Sequence, residues 1–71
     1  MKRAELIRRI GAATRETGVE WRLIREGRSH ELWQCGRINV IIPRHREVAE
    51  LTALGIMASL QPEFGRTWWR R

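Results

Sequence analysis

Gly18, Gly27, Gly36 and Pro43 cut the middle of this chain into pieces too short for an ordinary helix, so three strands and two turns are what fits. From Glu20 to Glu26 the residues alternate, with Trp21 and Leu23 on one face and Arg22 and Ile24 on the other. Gly27-Arg28 turns the chain, Ser29 to Cys35 reads as the second strand, and Cys35-Gly36-Arg37 is a hairpin turn. Ile38, Val40 and Ile42 then form an in-phase apolar face. Ile41 on the other face predicts a third strand that is central or partly covered on both sides. Pro43 has no N–H to give a ladder and closes that strand.

Helical periodicity flanks this block. Leu6, Ile7, Ile10 and Ala13 make one stripe of a helix from about Arg3 to Thr17, with Arg8, Arg9, Arg15 and Glu16 off it. Gly11 inside that helix costs about 1 kcal/mol relative to alanine, which predicts a close packing contact there, and Gly18 supplies the stop. A second helix is expected from about Glu47 to Gln61, with Glu47 and Glu50 in its first turn, where carboxylates complement the helix dipole. Its apolar stripe is wide: Val48, Leu51 and Leu54 on one side, Ala49, Ala53, Ile56 and Leu60 on another. Pro62 and Gly65 end it. The expected architecture is α+β in the order α-β-β-β-α, a three-stranded antiparallel sheet with both helices on one face. Residues 1–65 form one domain, followed by a basic aromatic tail at 66–71, Arg66-Thr67-Trp68-Trp69-Arg70-Arg71.

Seventy-one residues leave a thin core and no room for a cofactor domain or a deep cavity. Net charge is +6, and thirteen of the fourteen basic residues are arginine. Arginine is the side chain best shaped for bidentate phosphate contact, so an acidic partner is expected, with nucleic acid ahead of a membrane surface. The plainer alternative is arginine written wherever a solvated cation serves. Cys35 is the one cysteine, which excludes an internal disulfide and a cysteine-built zinc site. No secretory apolar core and no spanning segment is present, and a cytoplasmic protein is the simplest expectation.

Both histidines stand at junctions between regular elements, where a scaffold presents reactive side chains to water. His30 follows Gly27-Arg28-Ser29 at the head of the second strand; His45 lies between Arg44 and Arg46 after Pro43. Strand parity decides the setting of His30. If Trp33 and Cys35 point into the core, His30 lies on the open face; if Leu32 does, His30 starts on the covered side. We take the first.

Gly27-Arg28-Ser29-His30 in that order of elements, with Ile42-Pro43-Arg44-His45-Arg46-Glu47-Val48 joining the last strand to the last helix, resembles the HicA family of bacterial toxins over roughly Glu5 to Leu60. The resemblance implies a fold like the double-stranded-RNA-binding domain, cleavage of messenger RNA by one histidine after the glycine turn, and silencing by a HicB-type antitoxin. That histidine corresponds to His30. The chain departs from the family in placing Arg28 within a Gly-Ser-His-His pattern and Glu31 at its second histidine, in Leu54-Gly55-Ile56, and in the Trp68-Trp69 tail.

An imidazole both takes and gives a proton near neutral pH, and RNA brings its own nucleophile in the 2′-hydroxyl. His30 is therefore the candidate catalyst, against the plainer role of fixing a turn. Arg28, Ser29, Arg44, His45 and Arg46 are candidate phosphate contacts. His45 is also open to a second proton-transfer role or to none. No metal or cofactor is expected, since His30, His45 and Cys35 are too few to hold one. Trp68 and Trp69 are expected to pack on the core or on a partner sooner than to stack on bases. A non-catalytic RNA-binding module, or a degenerate toxin kept as a subunit, would show the same fold and charge.

Overall fold

A computed structural model describes residues 1–70 of the chain. The element order is α1 (Arg3–Thr17), β1 (Trp21–Glu26), β2 (His30–Cys35), β3 (Ile38–Pro43), α2 (Glu50–Ser59), α3 (Gln61–Phe64) and a closing 3-10 turn (Trp68–Arg70). The three strands form one antiparallel sheet in the order β1-β2-β3. This is the α-β-β-β-α arrangement read from the periodicity. α1 ends at Gly18 in the left-handed conformation (φ 75°), its N–H donating to the Thr14 carbonyl at 2.8 Å.

Parity follows Trp33 and Cys35. Cys35, Val40 and Ile42 are buried against Leu6, Ile10, Val48, Ile56 and Leu60, and Trp33 packs on that core. His30 lies on the other face with Leu32 and Gln34, and is exposed. Trp21 stacks on Trp33 at 4.3 Å between ring centroids, which carries the covered face out toward β1. A bulge between Leu23 and Arg25 interrupts that strand, and Arg22 to Glu26 are exposed.

Five readings of the sequence are corrected. β3 is an edge strand, and Ile41 is 60% exposed because it points away from the face that buries Val40 and Ile42. The helix expected from Glu47 starts at Glu50. The segment before it is tied to the N-terminal residues instead: Arg3 N–H donates to the Arg46 carbonyl at 2.9 Å and Val48 N–H to the Met1 carbonyl at 2.8 Å. The wide apolar stripe is narrower than expected: Ala53, Ile56 and Met57 face the core, while Leu51 is 83% exposed and Leu54 is exposed too. Pro62 opens the short α3 rather than ending a helix, as suits a residue with no N–H to offer in a first turn. A Cβ on Gly11 would meet only the Arg15 guanidinium at 3.5 Å, so no close packing explains that glycine.

The C-terminal turn closes the core. Trp68 is buried, meets Phe64 edge-on at 4.9 Å, and its indole N–H donates to the Met57 carbonyl at 2.7 Å. Trp69 is half-buried and packs against the same cluster. Both indoles therefore pack, as expected; Arg71, the last residue of the tail, lies outside the described residues.

Candidate functional site

The head of β2 is built by hydrogen bonds from three directions. Gly27 N–H donates to the His30 carbonyl at 2.8 Å, closing the turn on itself. A Cβ on Gly27 would stand 2.9 Å from that carbonyl oxygen, so this turn needs glycine for space. Across the sheet His30 pairs with Pro43, and the next residue, Arg44, donates its N–H to the Ser29 carbonyl at 2.9 Å. The Arg44 guanidinium then reaches back, Nη1 donating to the Gly27 carbonyl at 2.8 Å. The two junctions that carry the histidines are thus one structure. Arg28, Ser29, His30 and Arg44 sit together at the rim of the sheet, all exposed.

The imidazole of His30 has no hydrogen-bond partner among the described residues. His45 and Arg46 follow in an exposed bend, with no side-chain partner among those residues. Cys35 lies at the far end of β2 on the covered face. Its thiol is pushed up to about 11, chiefly by burial and then by the Glu63 carboxylate, which keeps it protonated and a poor nucleophile.

A second framework lies beneath the rim. Glu31 follows the parity of Trp33 and Cys35 and is buried. Its carboxylate accepts from the Arg3 guanidinium and from the Trp33 indole N–H, the latter at 3.0 Å. Arg3 also donates through Nε to the Pro43 carbonyl at 2.9 Å. Start of α1, β2 and end of β3 are therefore cross-linked just behind His30. In the sequence Glu31 stands out only as a departure from a family pattern. Its shared parity with Trp33 and Cys35 was the available signal, since a carboxylate on a covered face needs a partner. Lys2 and Arg3 were not singled out either. With Ala4, Arg44 and Arg46 they line an open groove beside the rim.

The charges on α1 are arranged differently. Arg8 and Arg9 both donate to Glu5, at 2.7 and 2.8 Å, and those bonds, Arg8 first, hold the Glu5 carboxyl below its usual range. A larger groove runs between that helix and Trp69, lined in part by Arg8, Arg9 and Glu16, away from both histidines. Among the described residues no helix is long and apolar enough to cross a membrane.

No protein-family model, curated protein or solved structure matches this chain. An exposed imidazole on a fixed turn, beside free guanidinium groups, can exchange a proton with a group on a bound phosphodiester while cations offset the phosphate charge.

Proposed function

We propose that the chain is a metal-independent endoribonuclease toxin of the HicA type, which cuts messenger RNA and is neutralised by a HicB-type antitoxin. One observation carries the reading: His30 is exposed and unpartnered among the described residues, on a turn held by Gly27, Ser29 and Arg44. In the reaction the 2′-hydroxyl oxygen attacks the neighbouring phosphorus, and the bond to the departing 5′-oxygen breaks. The hydroxyl gives up a proton and the leaving oxygen takes one. His30 serves as the general acid or base for one of those transfers. Arg28, Ser29, Arg44, His45 and Arg46 contact phosphate, the guanidinium groups offsetting the charge that builds on its oxygens.

Single-turnover cleavage of a long RNA, in excess EDTA, tests this. His30→Ala should lower the rate by about 10²–10⁴-fold, the usual contribution of general acid–base catalysis. Circular dichroism should show the fold intact, because an exposed histidine buries little. Equal cleavage by both proteins would end the catalytic role of His30. Absence of cleavage by the wild type would favour the second reading, a non-catalytic RNA-binding module, which the cation-lined groove beside the rim also supports. For the partner, co-expression with a HicB-type antitoxin should suppress toxicity and raise the melting temperature, since binding only the folded state stabilises it.

A further inference from the structure

We propose that the groove lined by Lys2, Arg3, Arg44 and Arg46 is a phosphodiester subsite, holding a backbone phosphate of the RNA strand whose neighbouring segment lies at His30. The inference rests on the RNA reading above for its ligand class; the groove itself rests on separate observations. Four of the five residues lining it are cationic, and the fifth is Ala4. Glu31 is the carboxylate bonded to this set, and it engages Arg3 from the covered side. Glu47 in the following loop and Glu50 at the start of α2 face the Met1 ammonium at 2.9 and 3.7 Å. The groove is thus left with an excess of positive charge.

Two of its cations are already ordered. Arg3 is fixed by Glu31 and the Pro43 carbonyl, and Arg44 by the Gly27 carbonyl. Each keeps guanidinium N–H groups with no acceptor among the described residues, so little side-chain freedom is lost when an anion arrives. Lys2 and Arg46 are exposed, and their side chains have no partner among those residues. The walls are joined by the bond from Arg3 N–H to the Arg46 carbonyl. Arg44 belongs to both places, since it lines the groove and straps the His30 turn. A strand held at the turn therefore meets the groove next.

The test follows a short single-stranded oligouridylate binding to the intact protein. Lys2→Gln should weaken binding about fivefold at 0.1 M salt and flatten the log–log salt dependence by about 0.7, the value of one phosphate contact on a single strand. In ¹⁵N-labelled protein the Ala4 amide should shift on titration. Arg66→Gln, an exposed arginine outside the groove, is the control. An equal loss there would mean that net charge alone is being read, and the subsite would fall. Inorganic pyrophosphate binding as tightly as the RNA would reassign the groove to small polyphosphates and overturn the proposal. The two readings fail separately. If wild type cleaves RNA while Lys2→Gln binds with unchanged affinity and slope, the subsite is wrong and the nuclease stands. If nothing is cleaved but Lys2→Gln alone loses its contact, the subsite stands and the nuclease reading is wrong.

Discussion

The Arg44 guanidinium donates to the Gly27 carbonyl at 2.8 Å, so the residue that leaves the last strand holds the turn that begins the second. Its own N–H is bonded to the Ser29 carbonyl. Arg44 therefore acts on the position of His30 as well as on charge. Catalytic geometry is unforgiving: a displacement of about 1 Å can cost about 10²-fold in rate. Arg44→Lys keeps the charge and loses the fork that reaches Gly27. If the chain cleaves RNA as proposed, kcat should fall by about 10–100-fold while the salt dependence of binding stays unchanged. An unchanged kcat would mean that the strap to Gly27 does not position His30 and would leave Arg44 a charge contact alone.

Glu31 predicts a stability effect. Its covered carboxylate joins Arg3 to Trp33, and Glu31→Ala leaves the Arg3 charge and the indole N–H without that acceptor. Losing a partly covered charged hydrogen-bond partner costs about 1–3 kcal/mol, less than for a fully buried pair because the Arg3 side chain keeps some access to water. For a domain of this size that is about 4–8 °C in melting temperature per kcal/mol. Thermal melts of Glu31→Ala, Arg3→Ala and the double variant should give a double cost smaller than the sum. Strict additivity would mean the two residues act apart.

Much of the fold was legible because hydrophobic period changes at Gly18 and again past Pro43, and glycine marks each turn between. The setting of His30 was legible too, since Trp33 and Cys35 fixed the parity of β2. The start of α2 was not. Val48 and Leu51 continue a helical pattern, but the backbone through Val48 is taken by hydrogen bonds to Met1 and Arg3, forty-odd residues away in the chain. No local pattern encodes such a tie. For the same reason the sequence reading found Arg44 and Arg46 and missed Lys2 and Arg3, which reach that region only through the folded N-terminal segment.

The helix glycines offer a gain. Gly11 and Gly55 lie inside α1 and α2, and a Cβ would meet ordinary contact at the first and nothing within 4 Å at the second. Alanine at either position should therefore stabilise the protein by about 0.5–1 kcal/mol through helix propensity. Urea unfolding midpoints check this. A loss at Gly11 would show that Arg15 cannot move aside.

Cys35 predicts a pH dependence. Burial, then the Glu63 charge, raises its thiol from about 9 to about 11, so the folded chain keeps a proton that the unfolded chain releases in that interval. Its contribution is full below about pH 9 and is lost as pH rises toward 11. Unfolding midpoints at pH 8.5 and 10.5 (chosen to bracket about that interval) should drop further for wild type than for Cys35→Ala. Parallel drops would show that other groups govern the alkaline limit.

Two arginine clusters, on α1 and after β3, differ in how much of their charge is free. Arg8 and Arg9 share the Glu5 carboxylate, so part of their charge is already answered within α1. Arg46 has no side-chain partner among the described residues, and Arg44 keeps donors beyond the one spent on Gly27. If phosphate is bound at the rim, Arg44→Gln with Arg46→Gln should weaken binding to single-stranded RNA of any sequence. It should also flatten the salt dependence by about 1.4, two contacts at about 0.7 each. Arg8→Gln with Arg9→Gln removes the same formal charge and should change the slope by less than half as much. Filter binding across about 50–300 mM salt reads both. The reverse order would move the RNA onto the groove between α1 and Trp69, and His30 would no longer face the bound strand.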